Sequence, residues 1–428
     1  MHTKTSYGAA LAMRQSQLFT RTRKEAPSDE VSKNAKLLIR AGYIHKEMAG
    51  VYTYLPLGLR TLGRLNTIIR EEMNAIGGQE VMLSSLQDKA VWEATGRWES
   101  ADVDVWFKTS LQNEQELGLG FTHEEPITRM MREQIASYRD LPQRVYQIQT
   151  KFRNEVRAKS GIMRTREFPM KDLYSFDRDQ ASLDIFYEDV TAAYVRIFSR
   201  AGIGAITYKT FASGGSFSKY SHEFQTVSEA GEDLIYIDKA QGIAINEEVY
   251  TDEVLADLGC VRDTLVQAKS IEVGNIFKLG TKFSEPLGLR YKDEQGVDQL
   301  VIMGSYGIGP SRLMGTVAEV LSDDHGLVWP KEVAPFDVHV VRLGEGERVI
   351  QCADTLVATL SAQGVSSLYD DRDLRAGEKF ADSDLLGMPL RVVVSEKNLP
   401  SGLYEVVHRA TGEKEMLPFD ALLSLVTS

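Results

Sequence analysis

The sequence predicts an α+β domain built on antiparallel strands, followed by a small α/β domain. Two observations lead to this prediction. Amphipathic helical patterns alternate with strand-like segments up to about residue 330, and short apolar strands then alternate with helices. Pro330 and Pro335 flank the change of pattern, so we expect a domain boundary between residues 330 and 337.

Length and charge exclude several classes of protein. A chain of 428 residues allows two to four domains. Its 49 basic and 61 acidic side chains give a net charge of −12, which disfavours indiscriminate binding to nucleic acid or anionic lipid. No apolar run approaches the roughly 20 residues of a membrane span, so no membrane partner is expected. Cys260 and Cys352 lie far apart and belong to no metal-type cluster, which favours a reducing compartment.

Three helices are expected in the first domain. The first runs from Arg60 to Ile76 and ends at two glycines. The second starts at Pro126, a residue favoured in the first turn of a helix. The third covers residues 185–201 and ends at Gly202.

The segment Tyr146–Phe176 predicts a strand, a basic loop and a returning strand. Five alternate positions on one side of the first strand are polar: Gln147, Gln149, Lys151, Arg153 and Glu155. A half-solvated strand would explain this alternation by itself. From Lys151 to Arg178, however, there are eight basic and four acidic residues. Because guanidinium groups bind phosphate oxygens bidentately, this excess indicates a polyphosphate site.

A second glycine-rich segment joins a strand to a helix. The apolar run QLVIM leads into GSYGIGPSRL, whose Gly304, Gly307 and Gly309 do not form the GxGxxG pattern. A plain strand-to-helix turn is the alternative interpretation. Arg312, at the start of the predicted helix, favours a phosphate site.

These two segments resemble motifs 2 and 3 of the class II aminoacyl-tRNA synthetases, motif 2 through the F-R-x-E pattern of residues 152–155. The resemblance implies that Arg153 contacts both the amino acid carboxylate and the α-phosphate of ATP. Glu155 would accept the adenine amino group, Phe168 would stack on the purine, and Arg312 would hold the γ-phosphate. Arg153 and Arg312 are therefore the candidate catalytic residues. The full candidate ATP set is Arg153, Glu155, Arg164, Phe168, Gln225, Gly307, Gly309 and Arg312.

Further blocks look like bacterial-type prolyl-tRNA synthetases from Met13 to the C-terminus. They include FTHEEP at 121–126, MKDLYSF, SHEFQ at 221–225 and EVGNIFKLGTKFSE. The resemblance implies an L-proline site formed by Thr122, Glu124, Arg153, His222, Gly214 and Gly215. Without it, Thr122 and Glu124 would be read as helix-capping residues and His222 as a structural histidine. Mg²⁺ is expected with ATP, and Glu223 is a tentative ligand because it lies on the side of its strand opposite His222.

The resemblance also implies a domain plan. Residues 1–12 would be an extension, and residues 13–332 a catalytic domain with motifs 1, 2 and 3 near 60–86, 146–176 and 299–321. Residues 337–428 would be an anticodon-binding domain for tRNA(Pro). Its candidate tRNA contacts are Arg372, Arg375 and Lys379, although a solvated helix start explains these residues equally well.

The sequence departs from the family at two places. Ser84 occupies the expected proline position of motif 1, which leaves the local geometry of the expected homodimer open. About 62 residues separate Asp238 from Val301, too few for the editing insertion of the longer bacterial enzymes. The chain is therefore expected not to clear alanyl-tRNA itself, and a separate trans-editing protein is a candidate partner.

The sequence thus predicts a ligase that joins L-proline to tRNA(Pro) through prolyl-adenylate. A synthetase for threonine or serine is an alternative within the class, although the chain shows no zinc ligand set for a hydroxyl. A noncatalytic, synthetase-like binding protein is an alternative outside it. The cytoplasm is the expected location. The acid-free, basic residues 1–24 make the mitochondrial matrix the alternative.

Overall fold

A computed structural model describes residues 11–427 except 101, 102, 104, 157 and 215–219. The chain divides into two compact units. The larger unit comprises residues 48–51 and Ile68–Thr316. The smaller unit comprises the described residues up to Glu47, Tyr52–Thr67 and the chain from Val317 onward.

The helices of the described residues are α1 Lys33–Arg40, α2 Pro56–Ala75, α3 Lys89–Glu93, α4 Glu124–Met131, α5 Gln180–Arg200, α6 Asp252–Leu258, α7 Ser284–Leu287, α8 Pro310–Leu321, α9 Glu347–Ala362, α10 Ala376–Leu386 and α11 Phe419–Thr427. The strands up to the middle of the chain are β1 Ala12–Arg14, β2 Ile44–Met48, β3 Val51–Tyr54, β4 Gln79–Glu80, β5 Leu86–Asp88, β6 Lys108–Ser110, β7 Glu116–Leu119, β8 Gln143–Phe152, β9 Glu167–Asp177, β10 Thr207–Ser213 and β11 Tyr220–Val227. The later strands are β12 Asp233–Asp238, β13 Ile243–Asn246, β14 Val266–Gly280, β15 Arg290–Lys292, β16 Asp298–Leu300, β17 Ile302–Ile308, β18 Val338–Leu343, β19 Ser367–Asp370, β20 Leu390–Ser395, β21 Leu403–His408 and β22 Lys414–Pro418.

The larger unit is built on a nine-stranded sheet with the order β11-β10-β13-β12-β14-β17-β9-β8-β4. Its central strands β14, β17, β9 and β8 pair antiparallel, as the sequence predicts for the strand, loop and strand of residues 146–176. One core cluster of this unit joins the second predicted helix to the sheet through residues such as Ile127, Tyr174 and Met303. The sheet therefore provides the platform for the predicted site.

The smaller unit contains a six-stranded sheet with the order β1-β19-β18-β20-β21-β22. Its core consists largely of valines and leucines from β18, β20 and α9, the apolar strands and helix expected there. The N-terminal strand β1 pairs parallel with β19, so residues after Leu11 complete this sheet. The predicted plan assigned residues 13–332 to one domain. In the structure, the described residues up to Glu47 and Tyr52–Thr67 belong to the same compact unit as the C-terminal residues. Residues 1–10 of the predicted extension lie outside the described residues.

The three predicted helices are present, with shifted ends. Helix α2 begins one turn before Arg60, at Pro56, and α4 begins at Glu124, two residues before Pro126. Helix α5 begins at Gln180 because Asp179 caps it, accepting a hydrogen bond from the Ser182 amide. Among the described residues, no helix is both long and apolar enough to cross a membrane.

A pH-dependent stability follows from His339, which is fully buried in the smaller unit. Its ring nitrogens lie 3.0 Å from Ser383 Oγ and 3.0 Å from Gln15 Oε1. Burial lowers the pKa of His339 from 6.5 to about 4. The unfolded chain therefore binds more protons between pH 6.5 and 4, and the stability contributed by neutral His339 is lost as pH falls through that window.

We expect His339→Asn to flatten the pH dependence of the free energy of unfolding, by up to about 3 kcal/mol between pH 7 and pH 4. Denaturant titrations of both proteins at pH 7, 5.5 and 4 measure the difference. Other buried histidines contribute equally to the pH dependence of both proteins, so their contributions cancel in the difference between the two free energies of unfolding. Parallel curves for the two proteins would contradict this assignment.

Candidate active site

Strand pairing brings one row of polar residues to one side of the nine-stranded sheet. Across β8, β9, β17, β14 and β11 the paired residues are Gln147, Asp172, Gly307, Asn275 and Glu223. Directly paired residues project to the same side of a sheet. We call this side the site face. Phe168, which pairs with Lys151, lies on it too.

The opposite side of the sheet packs against α5, and His222 lies there. His222 pairs with Ile276, which pairs with Tyr306. Its Nδ1 lies 2.8 Å from the hydroxyl of Tyr187 on α5, and its ring stacks edge-on against Phe211 at 4.5 Å. Burial lowers the pKa of His222 to about 3. The prediction that His222 lines the proline pocket is not supported, because its side chain is directed away from the site face.

Two arginines converge on the site face. Arg153 directly follows β8, with its guanidinium 5.3 Å from the centre of the Phe168 ring. Arg312, in the first turn of α8, donates from Nε to Met163 O at 2.8 Å and from Nη1 to Glu272 Oε2 at 3.0 Å. Burial lowers the pKa of Arg153, and the positive charge of Arg312 lowers it further. Because the two guanidinium groups repel each other, an anion bound between them would stabilise this arrangement.

Two adjoining cavities, of about 70 Å³ and 240 Å³, open on this face. They share Glu155, Met163, Arg164, Glu272 and Arg312. The smaller cavity is lined by all the candidate ATP-binding residues except Gln225, namely Arg153, Glu155, Arg164, Phe168, Gly307, Gly309 and Arg312. Arg153 and Arg312, which are 159 positions apart in the sequence, thus meet in one place.

The floor of the smaller cavity depends on glycine. A Cβ atom on Gly307 would lie 2.8 Å from Asn275 Oδ1, closer than real Cβ contacts. At the rim, Glu155 Oε2 accepts a hydrogen bond from Arg164 Nη2 at 2.8 Å, and Arg164 Nη1 donates to Glu232 at 3.2 Å. Glycine lets a ligand approach the backbone, and the Glu155–Arg164 pair borders the opening.

A buried carboxylate lies beside the arginines. Glu124 is 6% exposed, accepts a hydrogen bond from the Thr122 hydroxyl at Oε2 and one from Ser305 Oγ at Oε1, 3.2 Å away. Arg97 lies 4.0 Å from it and forms a closer ion pair, 2.8 Å, with Glu125. Burial raises the pKa of Glu125 to about 7. The structure brings Thr122 and Glu124 together as the sequence predicts and adds Ser305 and Arg97, which sequence reasoning missed.

The remaining predicted residues of this face lie outside the smaller cavity. Gln225 is fully buried and donates from Nε2 to Glu223 Oε2 at 2.9 Å and to Asp233 Oδ2 at 2.8 Å. Burial and the nearby Glu272 raise the pKa of Glu223 to about 8. Gly214 is buried at the end of β10. Gly215 lies outside the described residues.

Glu272 and Asn275 are cleft residues that sequence reasoning missed. They are three positions apart, so a regular strand would place them on opposite sides. The register of β11 and β14 shifts between Phe224 and Gln225, and both side chains reach the site face. Asn275 Nδ2 donates to Glu272 Oε1 at 3.0 Å. No group of three metal-type side chains occurs within the described ranges, so a metal here would rely on few protein ligands.

In the smaller unit, the three candidate tRNA contacts differ in accessibility. Arg372 forms a bidentate pair with Asp370, at 2.8 and 2.7 Å, and reaches Asp382 at 2.9 Å. Arg375 is exposed. Lys379 is 2% exposed, and its ammonium donates to Arg342 O at 2.7 Å. The prediction of Lys379 as a tRNA contact is not supported, because a buried ammonium with a protein acceptor does not reach a phosphate.

Comparisons with known proteins show which family the sequence matches. A family model described as the tRNA synthetase class II core domain (G, H, P, S and T) matches residues 107–321, and an anticodon binding domain model matches residues 337–428. The proline--tRNA ligase of Methylobacterium radiotolerans is 38% identical over 444 residues, covering 97% of this chain and 99% of that protein. That of Brucella ovis is also 38% identical, covering 97% and 100%.

Solved structures agree at the level of the fold. The prolyl-tRNA synthetase of Cryptosporidium parvum complexed with L-proline and AMP has a TM-score of 0.75 and 17% identity, covering 92% of this chain and 74% of that chain. The same protein complexed with halofuginone and AMPPNP has a TM-score of 0.76. The predicted fold class is confirmed.

Proposed function

The chain belongs to the proline--tRNA ligases, a family of class II aminoacyl-tRNA synthetases, and on this premise we propose which of its residues perform each step. The reaction joins L-proline to tRNA at the expense of ATP, through prolyl-adenylate. The observation that carries the assignment is the meeting of Arg153 and Arg312 in one cleft, with the carboxylate of Glu124 close enough to influence the pKa of Arg153.

Glu124 and Thr122 bind the secondary ammonium of proline. A buried carboxylate favours a cationic partner strongly, and Glu124 is 6% exposed. The Thr122 and Ser305 hydroxyls each donate to a different oxygen of Glu124, which fixes the orientation of the carboxylate. Proline brings a cation to Glu124 and a carboxylate to Arg153, so the two ends of the amino acid have matching charges in the protein.

Arg153 and Arg312 bind the triphosphate at two points. The proline carboxylate attacks the α-phosphorus in line, and pyrophosphate leaves toward Arg312. Arg153 stabilises the negative charge that develops at phosphorus, so the protein supplies position and charge and needs no nucleophile. Phe168 stacks on the adenine, and Glu155 accepts its amino group at the border of the cleft. The terminal hydroxyl of the tRNA then attacks the activated carbonyl, releasing AMP.

Mg²⁺ fits this cleft through Glu272. The Glu272 carboxylate borders both cavities, and Asn275 Oδ1 lies beside Gly307 at the floor. Oxygen ligands from one or two carboxylates plus phosphates suit this ion. Glu223, the tentative ligand, is a second candidate: burial and the nearby Glu272 raise its pKa to about 8, and a bound cation would relieve the repulsion between the two carboxylates. When bound, the ion neutralises phosphate charge.

We propose a homodimer that uses the motif 1 segment, in the cytoplasm, with the mitochondrial matrix as the alternative location. Met82 and Leu86 are 79% and 54% exposed, and Ser84 between them is exposed too. Exposed apolar side chains next to a short edge strand, β4, are suited to contact a second copy. Ser84 Oγ donates to Leu86 O at 2.9 Å, so this segment is held without the family's proline.

The test of the activity measures amino-acid-dependent exchange of pyrophosphate into ATP without tRNA. Proline, alanine, threonine and serine are supplied in separate assays. We expect exchange to be fastest with proline and to fall at least about 1000-fold in Arg153→Ala, because charge stabilisation at phosphorus is lost. Arg139→Ala, at an exposed arginine outside both cavities, is the matched control. Near-normal exchange by the Arg153 variant would overturn the assignment. If none of the four amino acids supports exchange by the wild type, a noncatalytic protein would be favoured.

The tRNA surface is assigned to Arg375 and, through its exposed edge, Arg372. Arg372 lines a groove of about 910 Å³ together with Arg21, Arg23 and Lys24. The same groove is also lined by five carboxylates, Asp324, Asp373, Glu378, Asp382 and Asp384. Arg21, Arg23 and Lys24 are exposed, and phosphate contacts come from exposed basic side chains. We therefore propose that the tRNA-binding surface includes Arg21, Arg23 and Lys24 of the N-terminal segment in addition to the matched anticodon region.

We expect Arg375→Gln to raise the KM for tRNA about 3- to 10-fold and to reduce the salt dependence of tRNA binding by about one phosphate contact. Proline-dependent exchange without tRNA stays unchanged, which separates this effect from adenylation. Lys414→Gln, at an exposed lysine on β22, is the control. If the variant binds tRNA with the affinity of the wild type, Arg375 does not belong to the tRNA-binding surface.

The segment between Asp238 and Val301 is too short for an editing insertion, and the matches to two relatives cover 97% of this chain and 99% and 100% of theirs. We expect the purified protein to deacylate alanyl-tRNA no faster than the uncatalysed reaction, and we propose that a separate trans-editing protein removes this product. Release of radiolabelled alanine from the charged tRNA measures the rate. Efficient release by the enzyme alone would contradict the expectation.

A further inference from the structure

Four polar side chains are buried beneath the proposed amino acid site, and the mechanism above gives none of them a task. They are His123, Lys151, Asp172 and Tyr174, which are 0%, 1%, 5% and 0% exposed. Burying a lysine and an aspartate is costly unless both are paired and hydrogen-bonded. A cluster of this kind therefore calls for an explanation beyond packing.

The four side chains form one hydrogen-bonded chain. Lys151 Nζ lies 2.5 Å from His123 Nδ1 and 2.8 Å from Asp172 Oδ2. The Tyr174 hydroxyl donates to the same Asp172 oxygen at 2.9 Å. Because Lys151 only donates, His123 accepts at Nδ1, so its Nε2–H donates to Ser84 O, 3.0 Å away. Burial and the Lys151 charge lower the pKa of His123 to about 4, in agreement with this neutral tautomer.

This chain closes on the residues proposed to bind the ammonium of proline. His123 stands between Thr122 and Glu124 in the sequence. The His123 side chain therefore attaches this segment to the Lys151–Asp172 pair on the two central strands.

We propose that Lys151 and His123 are positioning residues for the amino acid: they fix the Thr122–Glu124 segment on β8 and β9 and so set the place of the carboxylate that receives the secondary ammonium. The inference rests on the proposed role of Glu124. The ATP side of the cleft depends on Arg153, Arg312, Phe168 and Glu155. The side chains of His123 and Lys151 hydrogen-bond to Ser84 O, to each other and to Asp172, and not to these four residues. Loss of these hydrogen bonds should therefore weaken the binding of proline far more than the binding of ATP.

A second buried lysine provides the matched control. Lys171 is also fully buried and precedes Asp172 on β9, but its side chain lies on the α5 side of the sheet. It donates to the Tyr194 hydroxyl at 2.5 Å and to Tyr306 O at 3.0 Å. Replacing Lys171 thus removes a buried, hydrogen-bonded lysine from the same sheet without touching the proposed amino acid site.

The experiment measures pyrophosphate exchange by the full chain with Lys151→Met and Lys171→Met, varying proline and ATP separately. We expect Lys151→Met to raise the KM for proline about 100-fold, since a displaced binding group costs this much, and the KM for ATP less than about threefold. Lys171→Met should lower the unfolding temperature and leave the ratio of the two KM values unchanged. Equal increases in both KM values, or the same split in Lys171→Met, would overturn the proposal.

A milder variant covers the case in which Lys151→Met does not fold. His123→Asn keeps an acceptor for Lys151 and loses the donor to Ser84 O, so we expect the same split with a smaller rise, about 10-fold, in the KM for proline. An unchanged KM for proline in His123→Asn would overturn the proposal. If the wild type activates a different amino acid, the proposed substrate is wrong, and the split measured with that amino acid still decides the positioning role.

Discussion

The two-sided character of the nine-stranded sheet is the constraint on which the active site depends. Because neighbouring residues of a strand project to opposite sides, one side of β8, β9, β17 and β14 packs on α5 and the other is free for chemistry. His222 and Glu223 illustrate the division, since they are adjacent in sequence and lie on opposite sides. The site face carries a density of charge that a hydrophobic core would not tolerate, and the apolar contacts of the other side stabilise it.

The charges of the site face are arranged in two groups. The buried pairs, such as Lys151 with Asp172, neutralise each other's charge within the protein. Arg153 and Arg312, in contrast, line an open cavity, where the positive charge of Arg312 lowers the pKa of Arg153. A polyanion bound in this cavity is attracted to both guanidinium groups, although Arg312 is also paired with Glu272.

Motif residues that follow regular periodicity could be predicted from the sequence, and those that depend on irregular geometry could not. The alternation in β8 and the glycines before Arg312 predicted that the candidate ATP-binding residues lie together, and apart from Gln225 they line one cavity. Glu272 and Asn275 escaped because a register shift brings both to one side. The assignment of His222 to the proline pocket came from the family resemblance alone, whereas strand pairing places its side chain on the α5 side of the sheet. The predicted helices began too late, since Asp179 and Pro56 act as start signals that apolar periodicity does not contain.

The pairing of β1 with β19 has a consequence for the order of events during synthesis. Arg14 and its partner Tyr369 are separated by 355 positions, so the first strand leaves the ribosome long before its neighbour exists. At the usual rate of about 5 to 20 residues per second, the wait is roughly 20 to 70 s. The sheet of the smaller unit is therefore joined late by a strand that was synthesised early, and β1 stays without its partner until residues 367–370 have been made.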